Sequence, residues 1–306
     1  LVVTQRRPRL IRSRFRSCDS EGASTSKGIT SVLLVTHPTR SEALSTALEL
    51  TRLLSAKKIA VHTTIQSAGA VEYKEGVEID LAVVLGGDGT MLRAAQICRG
   101  KNVPILGINL GHVGFLAEIE RPSLSEIAAA IADGSFSIEE RMTLSYELHR
   151  NGKMIDSGWA LNEVLVERND HQMIDLFVQI DHRPLSRWWC DSVICATPTG
   201  STAYAYSAGG PVVWPEVDAL VLLPLAAHAL FTRPMVVSPN SEIAMDLESD
   251  SADLNADGMR RIKLQKNDRI VLTSDKEDVL LAHIKSATFT DRLVAKFKLP
   301  VEGWRG

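Results

Sequence analysis

Residues 81–98 read LAVVLGGDGTMLRAAQIC, and the fold follows from this stretch. Leu81–Leu85 is a short apolar run that reads as a strand. Thr90–Cys98 has the composition of a helix. Between them stand Gly86, Gly87, Asp88, Gly89 and Thr90. In parallel α/β sheets, ligands bind where strands end and helices begin. Glycines there permit positive φ and remove Cβ atoms, so that backbone N–H groups can approach a phosphate. A helix N-terminus adds partial positive charge. Gly86, Gly87 and Thr90 are therefore a candidate phosphate loop. Asp88 would repel a phosphate unless it does chemistry or holds a metal. Phosphoryl transfer needs such a carboxylate, to accept the proton of the attacking hydroxyl. The plain alternative is a Gly/Asp turn at a strand end. The loop is neither a Walker A sequence nor a G-x-G-x-x-G fingerprint.

Outward from this unit, strand and helix signals alternate. Ser31–Thr36, Lys58–Thr64 and Val103–Ile108 read as strands. Ser41–Ser55 reads as a helix, and Leu124–Asp133 as a short one closed by Gly134. Alternation of this kind implies an α/β domain with a parallel sheet, here residues 29–140. The pattern then changes. Thr143–His149 alternates, with Leu144, Tyr146 and Leu148 on one face, and Asn151-Gly152 is a strong hairpin signal. Met154–Val166, Met173–Asp181 and Val193–Ala196 read as strands, with a turn at His182–Pro184. The short runs Ala219–Pro224, Pro234–Val237, Ile243–Leu247 and Ile270–Thr273 follow. These predict a β-rich domain over residues 141–275 and a C-terminal segment over 276–306. Residues 1–28 are a basic leader, read as a disordered extension; an Arg- and Ser-rich leader also suits an organellar transit peptide.

Three further stretches carry chemistry. Gly107–Leu116 (GINLGHVGFL) is a second glycine-rich loop after a strand, with His112 in reach of a phosphate. Asn162 and Glu163 are polar residues in an apolar strand, able to pair with ribose hydroxyls or simply to end the strand. Thr197–Pro211 (TPTGSTAYAYSAGGP) has more small hydroxyl residues than one helix cap needs. Its Thr199, Ser201 and Thr202 can cap a short helix and bind a diphosphate, and Tyr204 can stack on a ring. Asp191 precedes the strand that leads into this stretch. Arg93 stands one turn into the helix after Asp88.

Composition narrows the partners. With 34 Lys and Arg against 37 Asp and Glu, there is no global basic field to attract nucleic acid. No apolar run is long enough to span a bilayer. Four cysteines without a C-x-x-C pair argue against zinc or a disulfide framework, and for a reduced cytoplasmic protein. The expected ligand is a small molecule.

Taken in order and spacing, Gly86–Thr90, Gly107–Leu116, Asn162-Glu163 and Thr197–Gly210 resemble the NAD kinase family, over about residues 30–306. GGDGT alone is shared with diacylglycerol and sphingosine kinases. The Asn-Glu pair and TPTGSTAY are far more specific, and Phe289–Arg305 is similar to the C-terminus of actinobacterial members. The resemblance implies an α/β domain followed by a β-rich domain, with the last segment returning to the first. It implies phosphoryl transfer from ATP or polyphosphate to the 2′-hydroxyl of the adenosine ribose of NAD⁺, with Mg²⁺ or another divalent cation. It makes Asp88 the proton acceptor, sets Gly89 against the substrate and Arg93 near phosphate, and gives Asn162 and Glu163 the adenosine part. Thr202, Ala203, Tyr204 and Ser207 would line the NAD pocket, with Asp191 near the nicotinamide half. It also implies a homodimer or homotetramer, in which a neighbouring subunit sometimes completes the pocket. The chain departs from the family pattern at Asp191-Ser192, where Asp-Gly is common, and at Ala256-Asp257-Gly258.

Overall fold

The structure, a computed structural model, describes residues 15–16, 28–37, 39–64, 71–111, 114–117, 123–285 and 287–301. The expectations for the leader, for His112 and for the last residues of Phe289–Arg305 lie almost wholly outside these.

The strand Leu81–Leu85 forms over the residues the apolar run predicts, and all five are buried. It is central in a sheet whose parallel members run, in spatial order, Val279–His283, Ile105–Ile108, Leu81–Leu85, Ser31–Thr36, Ala60–Thr63 and Val71–Glu72. The helices Ser41–Ala56 and Leu124–Asp133 cover one face through Leu50, Leu54, Ile127 and Ile131. The helix Asp88–Cys98 covers the other through Met91, Leu92, Ala95 and Cys98. Leu124–Asp133 ends at Gly134 in the left-handed conformation (φ 66°), as its sequence indicates. Its start carries a reciprocal cap between Ser123 and Glu126.

The sheet is completed by residues remote in sequence. Val279–His283 pairs parallel to Ile105–Ile108 and antiparallel to Ser137–Arg141. The C-terminal segment thus returns to the first layer, and the helix Phe289–Phe297 follows it.

Between these segments lies a β-sandwich. One sheet orders Met235–Val237, Leu220–Leu225, Ser192–Ala196, Glu163–Glu167, Ser251–Ala256 and Arg260–Gln265; the other orders Arg183–Cys190, Ile174–Ile180, Ile243–Leu247, Arg269–Ser274, Leu144–Arg150 and Lys153–Ala160. Leu144, Tyr146 and Leu148 point into the shared core with Trp188 and Leu254, as their alternation predicts. Asn151-Gly152 forms a hairpin turn with both φ positive (51° and 74°).

Three local expectations change. The run Met154–Val166 is two strands in different sheets, because the Asp257 carboxylate takes the backbone amides of Leu161 and Asn162 out of the ladder. The second turn centres on Asp181-His182 (φ 51° and 62°), and Pro184 lies inside the strand Arg183–Cys190. That strand is a sheet edge, where a residue without an N–H is tolerated. The hairpin Ser251–Ala256/Arg260–Gln265 has no counterpart in the sequence reading, although Asp257-Gly258 (φ 55° and 66°) turns it.

Candidate functional site

Gly86–Thr90 closes the strand and starts the helix, with Gly87 at the N-cap. The glycines serve by size rather than by φ: Gly86, Gly87 and Gly89 all lie outside the left-handed region. A Cβ on Gly86 would stand 2.5 Å from the Thr90 hydroxyl, whereas beside Gly87 and Gly89 there is open space. The first amides of a helix lack internal acceptors. Arg93 is exposed one turn further on.

Asp88 is fixed by the second glycine-rich loop. Its Oδ2 accepts from the Phe115 amide and its Oδ1 from the Leu116 amide, both at 3.2 Å. The loop comes this close only because Gly114 has no side chain; a Cβ there would lie 2.3 Å from Oδ1. Two amide contacts leave lone pairs on the carboxylate for an incoming hydroxyl.

Glu163 begins a strand of the sandwich and Asn162 stands just before it, next to Leu161, which joins the core cluster of Met91, Leu92 and Leu116. The Asp257 carboxylate accepts from the amides of Leu161 (2.8 Å) and Asn162 (2.7 Å). Arg260 lies against Asp257, donates to the Trp159 carbonyl, and reaches Gln96 on the Asp88 helix (3.1 Å). Glu163 is buried, close to the Tyr204 amide, and its Oε2 has no partner. A buried acceptor without a donor has the chemistry to take a ligand's hydroxyl.

Burial and the neighbouring Asp257 push the Glu163 carboxyl up to about 7 from 4.5. Below pH 4.5 the carboxyl is protonated in both folded and unfolded chains, and above 7 it is ionised in both. Between these values the folded chain keeps a proton that the unfolded chain loses, so stability falls as pH rises. The full cost, roughly 3 kcal/mol at about 1.4 kcal/mol per tenfold change in proton affinity, applies above pH 7. Glu163→Gln is therefore expected to melt above the parent protein at pH 8 and close to it at pH 4.5. Equal differences at both values, by calorimetry, would contradict this.

The hydroxyl-rich stretch behaves differently from the reading above. Thr197 donates to the Leu161 carbonyl and accepts from the Gly200 amide (3.1 Å), while Ser201 donates to the Pro198 carbonyl and accepts from Val213 (2.9 Å). Both are fully buried, and neither caps the short helix Tyr204–Ser207. Thr202 donates to the Thr199 carbonyl instead (3.1 Å). The buried Thr197 and Ser201 hydroxyls fold the loop rather than face a ligand. Thr202 and Ala203 are half-buried, and Tyr204 and Ser207 exposed, along the same turn. Gly200 lies on the Asn162 backbone so closely that a Cβ would be 2.0 Å from its carbonyl oxygen.

Asp191 is not brought to this place. It pairs with Arg168 (3.1 Å) at the far end of Ser192–Ala196, roughly 20 Å along the chain from Thr197. Ser192 causes no break, pairing in register with Glu167 and Leu225. Gly114, expected in a tight loop beside the first, is there, and Gly200 lies in the stretch already singled out. The sequence reading missed Arg141 and the use of the Asp257 carboxylate, although Asp257-Gly258, a hairpin dipeptide, had a local signal. Among the described residues, no three His, Cys, Asp or Glu side chains gather as a metal cage.

Comparison with known proteins gives this geometry a family. Residues 32–136 match the ATP-NAD kinase N-terminal domain and residues 161–284 the ATP-NAD kinase C-terminal domain. The chain is 46% identical over 277 residues to an NAD kinase of Thermobifida fusca, covering 87% of this chain and 85% of that one. It is 43% identical over 303 residues to an NAD kinase of Mycobacterium tuberculosis, covering 90% and 98%. Its fold is that of a yeast NADH kinase solved with NADH (TM-score 0.82, 22% identity, 92% and 91% covered). An NAD kinase of Archaeoglobus fulgidus solved with ATP aligns with TM-score 0.70 at 27% identity, over 88% of this chain and 99% of that one. With both domains matched and relatives this similar along most of its length, the chain belongs to the NAD kinase family.

Proposed function

We propose that this chain transfers the terminal phosphoryl group of ATP to the 2′-hydroxyl of the adenosine ribose of NAD⁺, yielding NADP⁺ and ADP, with Asp88 as the proton acceptor. The observation that carries this reading is the placement of Asp88: a carboxylate oriented by two amides, at the open mouth of a glycine loop. The 2′-oxygen forms its bond to the γ-phosphorus as the bond to the bridging oxygen of ADP breaks, and the hydroxyl proton passes to Asp88. Positioning and charge neutralisation supply most of the acceleration in such a loose transition state. The amides of Gly87–Gly89 and the exposed Arg93 are suited to the phosphates. Asn162 and the unpartnered Glu163 oxygen suit the adenosine, and Thr202, Ala203, Tyr204 and Ser207 the rest of the dinucleotide.

Mg²⁺ would neutralise phosphate charge. It would fit as an ion carried on the donor's phosphates, with the Asp88 carboxylate available to it at the glycine loop, since Mg²⁺ commonly keeps its waters and takes few protein ligands. Asp191 belongs to the pocket only if a neighbouring subunit presents it, in line with a homodimer or homotetramer. The test is incubation with NAD⁺, Mg²⁺ and either ATP or polyphosphate, with NADP⁺ read by an NADP-specific dehydrogenase. NADP⁺ with ATP is the expected result, and the polyphosphate tube decides the second donor. NAD⁺ binding without turnover on either donor would overturn the proposal.

A further inference from the structure

Four charged or titratable side chains, buried between the layers, join the loop that holds Asp88 to the loop that flanks Asn162 and Glu163. Arg292, on the C-terminal helix, donates Nη1 to the carbonyls of Phe115 and Ala117. These carbonyls bracket the Leu116 amide that binds Asp88, and Phe115 supplies the other amide. Arg292 Nη2 lies 3.3 Å from His283 Nδ1, and His283 Nε2 lies 2.9 Å from Glu139 Oε2. Arginine can only donate. Nδ1 is therefore the acceptor, and the imidazole carries its proton on Nε2, donating to Glu139. Glu139 holds Arg141 through both oxygens (2.9 Å each), and Arg141 Nη1 donates to the Thr199 hydroxyl at 3.3 Å.

All four side chains are under one-tenth exposed. Burial pushes the Glu139 carboxyl up, but the His283 hydrogen bond and the Arg141 guanidinium outweigh it and hold it at about 2. A buried ionic chain is weak evidence of stabilisation, because well-packed apolar residues often serve as well. Its distinguishing property is continuity: it runs from the Asp88 loop to the Thr199 hydroxyl through successive polar contacts. Aromatic contacts run beside it. Phe115 packs on Phe289 and Phe297 of the C-terminal helix, and Phe297 packs on Tyr206 of the hydroxyl-rich stretch at 4.6 Å.

We infer that Arg292, His283, Glu139 and Arg141 are positioning residues for the phosphoryl transfer, a buried relay that sets the Asp88 loop at a fixed distance from the Thr199 loop. The inference rests on the proposed role of Asp88. In this arrangement the C-terminal helix reaches the chemistry through the backbone of Phe115–Ala117 and touches no substrate. Near-attack geometry is steep enough that a misplacement of about 1 Å can lower turnover about a hundredfold.

A double-mutant cycle tests the relay with Arg292→Lys at one end and Thr199→Val at the other. Lysine keeps the charge but loses the fork, and valine keeps the shape but loses the hydroxyl. For each variant kcat, the NAD⁺ dissociation constant and the melting midpoint are measured, with kcat taken well below the midpoint. Arg292→Lys is expected to lower kcat about tenfold to a hundredfold and to leave NAD⁺ binding within about threefold. The double variant is expected to lose less than the product of the two single losses, because cutting one end has already uncoupled the loops. Contacts that merely stabilise the fold would lower the midpoint and leave kcat unchanged. Independent sites would multiply. Either of these results overturns the inference. If Arg292→Lys does not fold, Glu139→Gln takes its place in the cycle under the same criteria. Parent protein that makes no NADP⁺ would instead refute the proposed reaction, and is read first.

Discussion

Asp88→Asn is expected to lower kcat by about 10²–10⁴-fold, the usual worth of a general base, while NAD⁺ affinity changes by less than about threefold. The reason is local. Asparagine fills the same volume and can keep one of the two amide contacts, from Phe115 or Leu116. Its NH₂ group then faces the other amide, which costs about 1–3 kcal/mol and loosens the loop slightly. It cannot accept the 2′-hydroxyl proton. Because that transfer belongs to the transition state, the loss falls on kcat rather than on binding. Steady-state kinetics together with a direct titration of NAD⁺ separate the two. A variant that kept most of its kcat would remove Asp88 from the chemistry, and one that lost NAD⁺ binding as severely as turnover would make it a ligand only.

Gly200→Ala is expected to be the most damaging single methyl in the hydroxyl-rich stretch Thr197–Pro211. The new Cβ would lie 2.0 Å from the Asn162 carbonyl oxygen and 2.4 Å from its carbonyl carbon. These are backbone atoms, and neither side can yield cheaply. The Asn162 oxygen already accepts from the Thr197 amide (2.8 Å), and the Asn162 amide is held by Asp257. Overpacking of this kind costs about 1–3 kcal/mol in stability. Its larger consequence is displacement of Asn162-Glu163 from the Tyr204 turn, which is expected to raise the KM for NAD⁺ by about tenfold or more. Melting curves and kinetics on the same preparation check both parts. A Gly200→Ala protein with parental midpoint and parental KM would show that this close approach does not shape the pocket.

The parts of the fold legible in the sequence are those whose cause is local. The change from an apolar run to glycines to helix places Leu81–Leu85 and the start of Asp88–Cys98 within two residues. Asn151-Gly152 and Gly134 mark their turn and cap because few other residues tolerate positive φ. The illegible parts depend on partners far along the chain. Nothing in Val279–His283 says that it will enter the first sheet beside Ile105–Ile108. Arg141 and Arg292 look like any surface arginines until residues 144 positions apart, Glu139 and His283, meet between them. The hydroxyls of Thr197 and Ser201 were legible as unusual, but their use was not. Residue type allows a phosphate ligand, a cap or a backbone clasp, and only the folded loop selects the last. Asp191 differs: its place before the strand that leads to Thr197 was legible, and only its pairing with Arg168 needed the fold.

The most direct measurement of the central claim is phosphoryl transfer from ATP to NAD⁺ and, in parallel, to an analogue lacking only the 2′-hydroxyl of the adenosine ribose, followed by ³¹P NMR. The account predicts a new phosphomonoester resonance coupled to the ribose H2′ with NAD⁺, and no transfer to the analogue beyond background. Phosphorylation of the analogue at a rate comparable to NAD⁺ would place the reacting oxygen elsewhere and contradict it.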